Sequence, residues 1–279
     1  MIIDFHTHTF PKSIAKKALE VLGSNEGLTP FTDGTNEGLI ESMDRSGVDV
    51  SILMPVVTKV QQTEDINRAA KSVEADTKGR LISFGGMHPE DEDYAVHLKQ
   101  LRDAGVRGIK LHPVFQRTDF DDIRYKRIVD KASELGLITM VHAGYDISMP
   151  DAKYASAPRL ISVVKEVQPE KLILAHMGSW KYWDEAETVI GECPNVWIDT
   201  AFVLPMNDGE YFFDTGIAAL KPERFVKMVR NIGADRVLFG TDSPWTDQLQ
   251  SIESIRKSGL TNEEADKILG KNAVRLLNF

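Results

Sequence analysis

Cysteine is almost absent from the chain: Cys193 is the single one in 279 residues. That excludes an internal disulfide framework and leaves no thiolate cluster for a structural zinc. Cys193 lies directly before Pro194 and reads as a structural thiol. No apolar run approaches the length of a membrane span, and no basic stretch leads into an apolar signal segment at the N-terminus, so a cytoplasmic protein is expected. Positive charge is not in excess either. The 33 basic residues face 42 acidic ones for a net charge of −9, which gives phosphate backbones and anionic membranes no attractive field and predicts neither as a partner. Also missing is a glycine-rich phosphate turn after the first apolar run, where the chain continues Thr9-Phe10-Pro11-Lys12. This argues against a nucleotide-binding open sheet. No linker, short-period repeat or low-complexity tract divides the sequence, and residues 1–279 read as one domain.

What the sequence does contain is rhythm. With 42% hydrophobic and 27% charged residues it can build one large core and stay soluble. Short apolar runs rich in β-branched residues fall near 2–6, 49–54, 81–85, 107–111, 137–142, 172–176, 195–199 and 236–241. Amphipathic stretches lie between them: Asn36 to Arg45, Glu64 to Lys78, Tyr94 to Ala104, Ile123 to Leu135, Ala157 to Val167, Trp183 to Glu192, Pro222 to Ile232 and Gln248 to Lys257. Near-continuous apolar strands alternating with helices belong to parallel sheets covered on both faces. Eight such units predict a closed (β/α)8 TIM barrel, with an inserted loop over Pro205 to Gly216 before the eighth.

The first, fifth, sixth and eighth runs lead into a histidine or an acid. His6 and His8 sit at i and i+2 and leave the first strand on one side. His142, His176 and Asp242 follow the fifth, sixth and eighth runs. Barrel chemistry gathers at the carboxyl ends of strands, so His6, His8, His142 and Asp242 are expected to converge on one divalent transition metal. Three imidazoles and a carboxylate suit Zn²⁺ best, with Mn²⁺, Fe²⁺ and Co²⁺ also compatible. Such an ion generates hydroxide near neutral pH and polarises a carbonyl. Asp242 then doubles as proton acceptor, and His176 donates a hydrogen bond to the same water or to a developing oxyanion.

The segments Asp4-Phe5-His6-Thr7-His8, Gly108-Ile109-Lys110-Leu111-His112-Pro113, Val141-His142-Ala143, Leu174-Ala175-His176-Met177-Gly178 and Phe239-Gly240-Thr241-Asp242-Ser243-Pro244-Trp245 resemble the amidohydrolase superfamily. In their order and spacing they are similar to its amidohydrolase-related branch of small metal-dependent hydrolases and decarboxylases, which includes aminocarboxymuconate-semialdehyde decarboxylase. The similarity extends to Gly270 to Leu277, matching that branch's closing helix. The resemblance implies a (β/α)8 barrel, usually with one divalent ion. It puts His6, His8, His142 and Asp242 at ligand positions and His176 at the catalytic histidine. It spans hydrolysis and non-oxidative decarboxylation, so a hydrolase acting on a small carbonyl compound is the first expectation and a decarboxylase the alternative.

Other residues have open roles at this stage. Lys110 is either carbamylated and bridging a second metal, or an ammonium paired with a buried carboxylate such as Asp4 or with substrate. His112, two residues on, faces the same way and is a second candidate for metal or substrate. His88 either lines the pocket or orders its own loop, and His97 is expected in solvent. Trp245 and Arg159 are candidates for substrate binding, with loop packing and solvation as their ordinary alternatives. Asp199 is a candidate acceptor for a ligating histidine. A phosphoesterase and a non-catalytic binding barrel are the remoter expectations; the partner is a small molecule, and a homodimer is left open.

Overall fold

The computed structural model describes residues 1–204 and 218–279, with the backbone alone described at Asn25 and Glu26. The loop expected over Pro205 to Gly216 lies outside the described residues. All eight expected runs contain strand: β1 Ile3–Thr7, β2 Val50–Leu53, β3 Leu81–Ser83 and β4 Gly85–Gly86 within the third run, β5 Gly108–Leu111, β6 Ile138–Val141, β7 Leu172–Leu174, β8 Trp197–Asp199 and β9 Val237–Leu238. Every residue of β1, β2, β5, β6 and β7 is buried. That double-sided burial is why these segments read as unbroken apolar runs.

The chain divides into two compact units. The first comprises Met1–Leu53 and Asp199–Phe279. Here β1 pairs in parallel with β2, Asp4 opposite Ser51. On its other side β1 is stitched to the segment after β9. Phe5 N–H donates to Phe239 O at 2.7 Å, Asp242 N–H to His6 O at 2.8 Å and His8 N–H to Ser243 O at 2.6 Å. These bonds lay His6, His8 and Asp242 on adjacent segments.

The second unit is Met54–Ile198. Its strands β4, β5, β6, β7 and β8 run parallel in sequence order. The turns after β6 and β7 extend that pairing, with Trp180 N–H on Ala143 O at 3.0 Å and Tyr145 N–H on Trp180 O at 3.2 Å. Gly144, at φ 90°, is required there, since a Cβ would lie 2.4 Å from Trp180 N.

Helices start and stop where side chains satisfy their ends. Thr35 accepts from Gly38 N–H, Asp122 from Arg124 N–H and Asp247 from Gln250 N–H. Helices Ala157–Val167 and Pro222–Ile232 carry proline in the first turn. The stretch expected as one helix over Glu64 to Lys78 is two, Thr63–Ala70 and Val73–Asp76. At the break, Ser72 Oγ donates back to Ala69 O, a bond that competes with the helical ladder. An additional helix, Ala15–Glu26, precedes the first expected one. Among the described residues no helix is long and apolar enough to cross a membrane. Cys193 is a buried free thiol, and burial pushes it up from its ordinary value.

Candidate metal centre and histidine cluster

In the first unit, His6 and His8 turn their Nε2 atoms to one oxygen. Asp242 Oδ1 lies 3.5 Å from His6 Nε2 and 3.0 Å from His8 Nε2. Behind it, His6 Nδ1 is 2.8 Å from Asp199 Oδ2, with both side chains buried. A carboxylate accepts, so His6 carries its proton on Nδ1 and directs the Nε2 lone pair at Asp242. Two lone pairs facing each other repel unless a cation lies between them, either a proton or a metal ion. With bonds of about 2.0–2.2 Å, adjacent donors around a transition metal sit roughly 2.9–3.5 Å apart. The observed separations fall in that span, and two imidazoles with one carboxylate fit a divalent ion.

The backbone of this triad is held under constraint. Asp242 adopts φ 67°, a left-handed conformation that side-chain-bearing residues enter at a cost of about 1–3 kcal/mol. Gly240, two residues earlier, approaches so closely that a Cβ would come within 2.8 Å of His6 Cβ. Asp4, fully buried, accepts from Thr241 Oγ1 at 2.6 Å, Gln248 Nε2 at 2.8 Å, Thr241 N–H at 3.0 Å and His6 N–H at 3.2 Å. Burial pushes its carboxyl up to about 6, against the pull of these donors. Trp245 is buried, and its ring lies against helix Ala15–Glu26, 3.6 Å from where a Cβ at Gly23 would stand.

The second unit holds another set of two histidines and an aspartate, arranged differently. His112 and His142 stack at 4.2 Å between ring centroids and 12° between planes, and Phe115 extends the stack on His112 at 4.1 Å. Asp146 Oδ2 lies 3.7 Å from His112 Nε2 and 3.6 Å from His142 Nε2, while its Oδ1 accepts from Ser148 N–H and Oγ. His142 Nε2 is 3.1 Å from Tyr145 O, and a carbonyl only accepts, so this nitrogen bears the proton. His142 Nδ1 then accepts from His176 Nε2 at 3.2 Å. His112 Nδ1 accepts from Phe115 N–H at 3.4 Å. Parallel rings with protonated Nε2 atoms aim no lone pairs at a common point. As folded, this trio is a hydrogen-bonded stack.

His176 stands in a left-handed turn with Met177, at φ 57° and 54°. Lys110 is almost fully buried on β5. His88 accepts Glu90 N–H on Nδ1 at 3.2 Å and so orders its own turn, and burial lowers its imidazole from the ordinary value of 6.5. Arg159 is held by Asp119, Asp121 and Lys153 O. His97 is not solvated as expected: its Nδ1 lies 2.7 Å from Asp91 Oδ2. Sequence reasoning missed Gln116, whose Nε2 donates to Val57 O and Met87 O while Oε1 accepts from Tyr125 Oη and His112 N–H. It also missed Gln248. Neither residue belongs to a motif, and each is defined by partners far along the chain.

Solved structures give the fold. An uncharacterised TIM-barrel protein from Bordetella bronchiseptica matches with TM-score 0.77 and 18% identity, covering 99% of this chain and 98% of that one. A 5-carboxyvanillate decarboxylase from Novosphingobium aromaticivorans, with bound manganese and 3-methoxy-4-hydroxy-5-nitrobenzoic acid, matches with TM-score 0.72 and 14% identity over 100% and 97% of the two chains. A probable 2-pyrone-4,6-dicarboxylic acid hydrolase from Acinetobacter baumannii, with citric acid bound, matches with TM-score 0.67 and 14% identity over 100% and 99%. The fold is therefore the α/β barrel expected from the eight strand and helix units. No curated protein matches the chain significantly. The family model described as amidohydrolase matches residues 3–279, and the chain belongs to this family of metal-dependent enzymes.

Proposed function

We propose that the chain is a hydrolase of a small carbonyl-containing molecule and holds one divalent ion, zinc, on His6, His8 and Asp242. The observation that carries this reading is the His6 ring, anchored through Nδ1 to Asp199 at 2.8 Å with Nε2 turned towards Asp242 Oδ1 at 3.5 Å. A divalent ion there supplies a Lewis acid that activates water at neutral pH and polarises a carbonyl oxygen. The chain's own residues supply the rest. Asp199 keeps His6 in the tautomer that offers Nε2. Asp242 accepts a proton from the attacking water through its carboxylate, and His176 serves as the acid and base. The family resemblance also assigns His142 to the ligand set. With Nε2 donating to Tyr145 O, His142 would ligate through Nδ1, in place of the hydrogen bond that Nδ1 accepts from His176 Nε2.

Decarboxylation at the same residues is the second reading, favoured by the likeness to a manganese-containing decarboxylase. The two separate by assay. Protein reconstituted with Zn²⁺ or with Mn²⁺ is offered esters, lactones, amides and aromatic carboxylic acids, and cleavage is followed alongside CO₂ release. Hydrolysis without CO₂ supports the first reading; CO₂ release without hydrolysis replaces it with the second. A cytoplasmic setting belongs to the same proposal, since a chain with one cysteine draws no stability from an oxidising compartment.

A further inference from the structure

Gln248 is fully buried, opens helix Gln248–Lys257 and has no part in the chemistry outlined above. Its Nε2 donates to Asp4 Oδ2 at 2.8 Å and to Ser51 Oγ at 3.2 Å, so both amide hydrogens are used. Its Oε1 is buried and meets no hydrogen-bond partner among the described residues. Helix capping does not account for this, because Asp247 caps the helix by accepting from Gln250 N–H. The amide is oriented by its nitrogen, which is aimed at Asp4.

Asp4 is a junction. Oδ2 accepts from Gln248 and from Thr241 Oγ1, and Oδ1 from the N–H groups of Thr241 and His6. These bonds tie β1, at the residue carrying one imidazole, to the turn one residue before Asp242. The three metal-binding side chains therefore stand on two segments that are joined at Asp4 as well as by their backbone hydrogen bonds. Gln248 anchors that junction further to Ser51, on β2. Metal bonds tolerate deviations of only about 0.2 Å, so a small slip between the segments is enough to spoil the triad.

We propose that Gln248, acting with Thr241 through Asp4, is a positioning residue of the metal centre, holding β1 and the turn before Asp242 in the register that an ion requires. This rests on the metal reading above. It goes beyond that reading by giving metal affinity to side chains that touch neither ion nor substrate.

The test is zinc affinity, measured by competition with a chromophoric chelator on the full chain, with thermal unfolding of the zinc-free protein in parallel. Gln248→Met keeps the volume and removes both donors; Thr241→Val is nearly isosteric and removes the hydroxyl, and it carries the test if Gln248→Met fails to fold. Each is expected to weaken zinc binding about 10- to 100-fold, with Thr241→Ser within about twofold of wild type. Val229→Ala, a core change on helix Pro222–Ile232, should lower the melting temperature and leave zinc affinity alone. Wild-type affinity in folded Gln248→Met or Thr241→Val would overturn the inference and leave the metal reading standing, as would a Val229→Ala loss as large as theirs. Wild-type protein that takes up no zinc would overturn both.

Discussion

The two units each bring together two histidines and one aspartate, all close enough to share an ion, and they use them in opposite ways. In the first, His6 and His8 converge on Asp242 Oδ1 at 3.5 and 3.0 Å, and Asp199 accepts from His6 Nδ1, holding the proton on the nitrogen that faces away from Asp242. In the second, His112 and His142 lie face to face at 4.2 Å, and the carbonyl of Tyr145 keeps a proton on the nitrogen nearest Asp146. Ligand type and spacing are the same in kind. What separates a metal site from a hydrogen-bonded stack is the partner on the far side of each ring: a carboxylate behind Nδ1 frees Nε2 for an ion, and a carbonyl in front of Nε2 commits it to a proton.

The comparison breaks most visibly at the aspartates. Asp242→Asn should cut turnover by about 10²- to 10⁴-fold, more if metal is also lost. Asp146→Asn should keep the full metal content, read by elemental analysis after dialysis. Equal metal loss in both variants would erase the distinction between the clusters. A smaller effect is expected from Asp199→Ala, which frees the His6 tautomer and should weaken zinc binding about 10- to 100-fold. His112→Phe should change less still. It retains the stack with Phe115 and alters stability by about 0.5–1.5 kcal/mol, with unchanged metal stoichiometry. Metal lost from that variant would show that His112 is a ligand.

The smallest expected effect is at His88. Its imidazole is lowered from 6.5, mainly by burial, so the folded chain binds this proton less tightly than the unfolded one. The linked stability is present above pH 6.5 and drains away as pH falls through the lower folded value. His88→Leu should flatten that part of the curve, and the His88 ring resonance should titrate below 6.5. Titration above it would indicate a charged ring suited to binding anions.

Local pattern made much of this legible. Helices Ala157–Val167, Trp183–Glu192, Pro222–Ile232 and Gln248–Lys257 coincide with their apolar periodicity, and His6 and His8 follow from strand parity alone. Helix Ala15–Glu26 was hidden because its buried stripe, Ala15, Leu19 and Gly23, ends in a glycine that leaves room for the Trp245 ring. The third run splits at Phe84, whose ring lies where a Cβ at Gly108 would stand. In the site, what stayed unreadable was long-range: Gln248 meets Asp4 across 244 residues, and Gln116 meets Val57 across 59. No periodicity records such pairings. Nor does any sequence spacing state that Tyr145 presents its carbonyl to His142, which decides the proton on that ring.

Anomalous diffraction at the zinc edge from crystals of zinc-reconstituted protein tests the central claim most directly. The account predicts an ion at about 2.0–2.2 Å from His6 Nε2, His8 Nε2 and an Asp242 oxygen, with His6 Nδ1 still on Asp199. An ion held instead by His112 and Asp146, or none at all at His6, His8 and Asp242, would contradict it.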